Sequence, residues 1–320
     1  MKRFVVAAGI VTGLAFGVPA TAQTKPMISI IVKDTTAIYW QTVLAGARKA
    51  GQDLGVEVTE LGAKSETDAA GQIGILEKAV AAKPAAIVIA PAQFSALGRP
   101  IDEAAKKVKV IGIDSSADTT AWVSFVATDE MQAGRIAADV LAVGIKKTYA
   151  DDEGNVAIIT ATPMAASPDW SAKGFRLRMA EKYRGLNILP DKLAETQEAT
   201  GLSIMKDLTA SDRDLRGVFV SNPIVADGAS EVIYNKSSGD RINYVVFGSD
   251  DKLVKALRDG TIEGLVVRDP FRIGYEGIKT ALAAARGEQV PARVDIAADL
   301  ITKADINSAR AQELLHPSVN

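Results

Sequence analysis

Short runs of branched apolar residues alternate with longer stretches of helical period along nearly the whole chain. Met27–Val32 (MISIIV) is apolar at almost every position, which predicts a strand buried on both faces. Tyr39–Leu54 follows with Val43, Ala47, Ala50 and Leu54 along one helical face, and Gly55 is placed to end it as a C-cap. Val56–Leu61 predicts the second strand, Asp68–Ala82 the second helix, and Pro84 punctuates before a strand at Ala86–Ala90. A helix over Ser95–Lys107 and a strand at Val108–Ile113 continue the series. The unit recurs in the second half, with strands at Val156–Thr160, Asn187–Leu193, Gly217–Val220, Tyr244–Phe247 and Ile262–Val267. Helices are predicted between them over Ser171–Tyr183, Gly201–Ala210, Val225–Asn235, Leu253–Arg258 and Tyr275–Ala285. Continuous apolar strands, each followed by a helix, indicate α/β architecture with parallel sheets covered on both faces.

The series is too long for one compact sheet, and it breaks in the middle. Trp122–Thr128 predicts a strand separated from the preceding one by only a short stretch, Asp118–Ala121. The first lobe's main segment therefore ends before Asp129. No Pro- or Gly-rich linker and no charge run joins the halves, so short crossing segments must connect them. Two doubly wound lobes facing each other bring their strand C-terminal ends to one shared cleft, the edge at which open α/β sheets bind ligands.

The N-terminus changes the picture of where the chain works. Met1-Lys2-Arg3 is a short cationic start, Phe4 to Val18 an apolar run, and Ala20-Thr21-Ala22 a small-x-small cleavage pattern. These three features together predict a secretory signal peptide over residues 1–22. No lipobox cysteine accompanies it, which points to a soluble protein of the Gram-negative periplasm. The 320 residues carry 37 Lys and Arg against 39 Asp and Glu, a net charge of −2, so a phosphate-binding nucleic-acid partner is not indicated. There is no cysteine, and the one histidine, His316, lies near the C-terminus. Thiolate chemistry is excluded, and a zinc site built on two or three histidines is not available. The turn after the first strand, KDTTAIYW, contains no glycine to cradle a dinucleotide, and no nucleophile–base pair is visible, so no enzyme and no cofactor are expected.

The polar and aromatic residues just after the strands form the candidate site. They are Lys33 and the pair Tyr39-Trp40; Asp114 and Ser115; Trp170 and Ser171; Asn222; Asp250, with Ser249 as its alternative; and Arg268. Forked polar groups such as Asp, Asn and Arg grip neighbouring hydroxyls in pairs, and an aromatic face suits the C–H face of a sugar ring. The chemistry therefore fits a small polyhydroxylated ligand. Asp114 and Asp250 end apolar strands, where a carboxylate needs a ligand or a cation to satisfy it.

The segments IIVKDTTAIYWQTVLAGARKAGQDLGVEV, GQIGILEKAVAAKPAAIVIAP, VIGIDSSA, VSFVATDEMQAGRIAADVL, SAKGF, VFVSNPIVADGA and DGTIEGLVVRDPFRIGYEGIKTAL, in this order, resemble the periplasmic pentose- and hexose-binding proteins of ABC importers, close to the ribose-binding type. The resemblance spans Met27 to Lys303. It implies the type I periplasmic binding protein fold: two Rossmann-like, doubly wound parallel-sheet lobes joined by three hinge crossings, with the ligand in the interlobe cleft. Crossings are implied near Thr128-Asp129, Arg268-Asp269 and Ala297-Ala298, giving an N-terminal lobe of 27–128 and 269–297 and a C-terminal lobe of 129–268 and 298–320. The implied partners are a sugar or polyol, the membrane subunits of the permease and a chemoreceptor, with the binding protein itself a monomer.

Position by position, Tyr39 and Trp40 stand where the family has its ring-sandwiching aromatics, and Asp114 where it has the aspartate ending the fourth strand. Asn222 matches the asparagine of the VFxxN segment, and Arg268 replaces the hinge glutamine of ribose binders. Ser115 and Ser171 occupy positions where ribose binders carry arginine, and Ala37 replaces an asparagine. Arg268 and Lys33 bring positive charge from new positions, leaving an acidic sugar or a short polyol open beside neutral pentoses and hexoses. A second reading, an autoinducer-2-type signal binder, shares the lysine after strand one and the aspartate after strand four. Its expected Asp-Gln pair is replaced near Ala166-Ser167.

Overall fold

The computed structural model describes residues 25–161, 169–234 and 241–319, and the residues read as a signal peptide lie outside that range. Two open sheets carry the fold. The first has strand order β12-β5-β4-β3-β1-β2, and all its neighbours are parallel. Its strands are β1 (Met27–Val32), β2 (Glu57–Gly62), β3 (Ala86–Ile89), β4 (Lys109–Ile113), β5 (Ser124–Thr128) and β12 (Arg293–Ile296). Central β3 is buried at every position, as its unbroken AIVI run requires. Edge strand β2 (EVTELG) is only partly buried, and its Glu and Thr residues are the polar positions an edge tolerates.

The second sheet runs β13-β11-β10-β9-β6-β7, and only β13 lies antiparallel to its neighbour. Its strands are β6 (Gly154–Ala161), β7 (Leu186–Ile188), β9 (Leu215–Val220), β10 (Asn243–Phe247), β11 (Gly264–Val267) and β13 (Asp299–Ile301). The single strand expected over 187–193 is in fact two, β7 and β8 (Lys192–Ala194). Both pair with β6, and Pro190 interrupts the ladder between them. The chain passes between the sheets three times, after β5, after β11 and between β12 and β13.

Two helices were not in the sequence reading. Helix α4 (Glu130–Tyr149) is the longest described helix and starts at the first crossing, with Asp129 capping it by accepting a hydrogen bond from Gln132 N. Its many alanines blur the contrast between its faces. Helix α10 (Ala309–Leu315) adds Ala311, Leu314 and Leu315 to the core of the second lobe. Its Arg310 donates through Nη2 to Asp269 Oδ2 at 2.5 Å and to Asp299 Oδ2 at 2.7 Å, tying together the segments that flank two crossings. From α10 the chain runs on to Val319, whose carbonyl accepts a 2.6 Å hydrogen bond from Arg48 Nη2 in the first lobe.

Helices α1 (Ile38–Leu54) and α9 (Pro270–Ala285) cover one face of the first sheet, where their apolar residues share one core with β1, β3 and β4. Gly55 ends α1 in the left-handed region, with φ 69°. The two helices cross at glycines: a Cβ on Gly46 would stand 1.9 Å from Phe271 O, and one on Gly274 would stand 1.9 Å from Val43 O. The device repeats in the second lobe. Gly134 and Gly174 meet where α4 crosses α5 (Trp170–Lys182), and Gly201 and Gly228 where α6 (Glu198–Ser211) crosses α7 (Pro223–Tyr234). Each crossing is closer than side chains would permit. Among the described residues no helix is long and apolar enough to cross a membrane.

Gly274→Ala tests this constraint. Although alanine favours a helix by ~1 kcal/mol over glycine, the forced separation of α1 and α9 should leave the protein less stable by about 2 kcal/mol. Equilibrium denaturation would show it as a lower midpoint at unchanged slope.

Candidate functional site

The loop after β1 is organised by Asp34, whose Oδ1 accepts from Thr36 N, from Thr36 Oγ1 at 2.7 Å and from Ala37 N at 3.1 Å. Behind it, fully buried Gln72 fastens two strand ends. Its Nε2 donates to Ala90 O at 2.8 Å and Val32 O at 3.3 Å, while its Oε1 accepts from Ala92 N at 2.8 Å. These contacts use every type of polar group an amide has, so a buried polar side chain is satisfied and β1 and β3 end in register. Ser115 Oγ donates to Pro91 O at 3.0 Å and joins the same scaffold.

Four sequence-predicted residues converge on this edge. Tyr39 OH donates to Asp114 Oδ1 at 2.6 Å, and Lys33 Nζ stands 3.7 Å from Asp114 Oδ2. Asp114 itself sits at φ 61°, in the left-handed region that aspartate tolerates better than most residues. Burial, with the Asp114 carboxylate beside it, pushes the Tyr39 hydroxyl well above its ordinary pKa, so it stays a donor. Trp40 lies in the core, 2% exposed, with its indole N–H on Glu66 Oε1 at 2.6 Å. It meets the Tyr39 ring edge-on at 5.0 Å, and Lys33 Nζ lies 5.4 Å from its ring.

Arg268 reaches the same place from the end of β11. Its Nε donates to Glu130 Oε1 at 2.7 Å and its Nη2 to Glu130 Oε2 at 3.1 Å, and the guanidinium lies 5.0 Å from the Phe247 ring. Burial opposes its charge, but the paired Glu130 more than offsets this and raises the Arg268 pKa above its ordinary value. Tyr39 and Asp114 also act on it electrostatically, so both lobes share one charged cluster.

The second lobe's residues are arranged differently. Asp169 caps α5 by accepting from Ala172 N at 3.0 Å, and takes hydrogen bonds from Ser171 Oγ at 2.5 Å and Ser221 Oγ at 2.6 Å. Ser171 is therefore buried and committed to this knot, while neighbouring Trp170 is 44% exposed with Lys173 Nζ 4.6 Å from its ring. Asn222 accepts from Val225 N at 3.2 Å at the start of α7. Asp250 caps α8 (Asp251–Asp259) through Leu253 N at 3.1 Å, with Ser249 beside it. Ala166-Ser167, the position weighed for the signal-binder reading, lies outside the described residues.

Sequence reasoning missed Glu130, Gln72, Asp169 and Asp227. Glu130 opens an unpredicted helix, and the other three work from helices or loops behind the strand ends, where the search for residues that follow strands does not look. Asp227 lies on α7 with its side chain 12% exposed, near Asp250 and 3.8 Å from Lys252 Nζ. Its Oδ1 is buried without a hydrogen-bond partner. Burial, then the Asp250 carboxylate, pushes its pKa up to about 7.

A family model described as periplasmic binding protein domain matches residues 28–289. The chain is 25% identical to the ribose import binding protein of Haemophilus influenzae, over 94% of this chain and 99% of that protein. It is 53% identical to a carbohydrate transporter solute-binding protein from Agrobacterium radiobacter solved with D-arabinose, covering 92% of this chain and all of that one at a TM-score of 0.77. An ABC transporter solute-binding protein from Agrobacterium vitis bound to α-D-tagatopyranose is 25% identical, with the same coverage and a TM-score of 0.77.

The raised Asp227 pKa has a definite consequence. The folded chain keeps a proton that the unfolded chain sheds near pH 4, so this group's contribution favours folding at low pH and is lost as pH rises toward about 7. Asp227→Asn, which mimics the protonated acid, should change stability little near pH 4 and raise it by up to about 4 kcal/mol near pH 7.5. Thermal melts of both proteins across that range check the difference.

Proposed function

The chain belongs to the family of periplasmic binding protein domains, and from that premise we propose that its cleft captures a neutral monosaccharide in ring form, with D-arabinose the first candidate. It is a sugar-binding component of an ABC importer and not an enzyme. Each of the relatives above carries a sugar in its name or its bound ligand, and none favours the autoinducer-2 alternative.

The observation that carries the neutral-sugar reading is the pairing of both cations at the strand ends, Lys33 on Asp114 and Arg268 on Glu130. A sugar acid would bring a negative charge with no free cation among these four residues, and burying an uncompensated charge is costly. A neutral ring asks only for hydrogen bonds and an apolar face. Two of the five N–H bonds of Arg268 go to Glu130, and the rest suit hydroxyl oxygens. We assign Lys33, Tyr39, Asp114 and Arg268 to one side of the ligand, and Trp170, Asn222 and Asp250 to the other. Trp40 backs Tyr39, and Ser115 and Ser171 hold the strand ends from which these residues project.

In the capture cycle, the lobes comprising 27–128 with 269–297, and 129–268 with 298–320, close about the three crossings and bury the sugar. The protein works as a monomer in the periplasm after loss of residues 1–22, and its closed form docks on the permease and on a chemoreceptor. Closure is driven by the ligand's higher affinity for the closed state.

A thermal-shift screen of the mature, ligand-stripped protein against pentoses, ketohexoses, polyols and sugar acids tests the reading. A neutral sugar at 100 times its Kd should stabilise the fold by ~2.7 kcal/mol, and a response to sugar acids alone would overturn the assignment. Asp114→Asn, which keeps the left-handed backbone, and Arg268→Ala should each weaken sugar binding about tenfold or more, close to 1.4 kcal/mol, in calorimetry. Near-native affinity in both would remove these residues from the site.

A further inference from the structure

A guanidinium grips sugar hydroxyls but binds carboxylates better still, so a cleft that uses Arg268 on a neutral ligand must hold its charge in check. The geometry points to Glu130 as the positioning residue that sets the charge specificity of the cleft: it occupies one edge of Arg268 and leaves the other as a hydroxyl donor closed to anions. The inference rests on the neutral-sugar reading and explains how that selectivity is built.

Glu130 takes the Nε and Nη2 edge of the guanidinium at 2.7 and 3.1 Å, so the side chain is held in plane at two points. Phe247 lies against the guanidinium at 5.0 Å and limits rotation out of that plane. The pair is partly buried, the Arg268 side chain 33% exposed and that of Glu130 28%, so water screens it less than a surface pair. Of the other charged groups that act on Arg268, Asp114 is itself occupied by Tyr39 and Lys33. The four ionised groups Lys33, Asp114, Glu130 and Arg268 therefore sum to zero before any ligand enters.

Glu130 is placed for this by the first crossing. Asp129 caps α4, and Glu130 follows as the helix's first residue, where its carboxylate also suits the positive end of the helix. Arg268 stands at the second crossing. The pair thus links two crossing segments, and its arrangement is made by the chain itself and not by the sugar.

Glu130→Gln separates the charge from the shape. The amide keeps one acceptor for Arg268 and removes the negative charge, so the guanidinium gains a free positive field. Calorimetry on wild type and variant would use D-arabinose, a panel of hexuronates, and formate as a competitor small enough to need no added space. We expect wild type to bind D-arabinose and ignore both anions. The variant should bind D-arabinose about tenfold more weakly and should gain about tenfold in affinity for a hexuronate or for formate. That gain should fade as salt is raised, and Glu130→Asp should restore the neutral preference. A merely structural role would lower D-arabinose affinity without any gain for anions, and that result in a folded variant overturns the inference. Should the Gln variant not fold, Glu130→Met gives the same uncharged comparison. Wild type that binds no neutral sugar would instead sink the reading beneath it.

Discussion

The crossing of α1 and α9 at Gly46 and Gly274 is the constraint on which the cleft depends. α1 carries Tyr39 and Trp40 in its first turn, and α9 begins directly after Arg268 and Asp269. With no side chain at the crossing, Phe271 O approaches Gly46 so closely that a Cβ there would stand 1.9 Å from it. The segment arriving from the second sheet is thereby held beside the helix that bears the aromatic pair. Tyr39 and Arg268, far apart in sequence, then fall within one electrostatic cluster. Separating the helices by even the width of a methyl group would loosen that placement, since packed interiors transmit strain with little compression.

Given that placement, the chemistry of the cleft follows from the cost of burying charge. Asp114, Glu130 and Arg268 sit at strand ends or helix starts where solvent is limited, and each is paired. Second-lobe Asp169 is likewise satisfied by two hydroxyls and a backbone N–H. Preorganised polar groups of this kind bind hydroxyls without first having to be freed from disordered water, which reduces the entropy lost on binding. Asp227 stands apart: one oxygen is buried without a partner and its pKa is raised to about 7, so it favours a proton where Asp114 and Glu130 are held by ion pairs.

Much of this was legible from the amino-acid sequence because strands buried on both faces must be continuously apolar. MISIIV, AIVI and NYVVF announce themselves, and the residues that follow such runs lie at the sheet edge by topology alone. That rule places Lys33, Asp114, Asn222, Asp250 and Arg268 just beyond strand ends. The helical period announced α1 and its Gly55 stop, whereas α4, whose buried side is mostly alanine and glycine, gave too little contrast to be seen.

The sequence by itself thus determined the alternation of elements, the two-lobed parallel architecture and the set of residues at the strand ends, because each of these follows from local periodicity and chain direction. Tertiary structure alone decided which of those residues act together and which charges remain free. Arg268 read as an available cation until Glu130, 138 residues away, was seen to hold it. Trp40 read as a ligand-facing aromatic until its ring was found in the core with Glu66 on its N–H. Ion pairing and burial are properties of the space between elements, and helix crossings set that space by close contacts that no local pattern encodes.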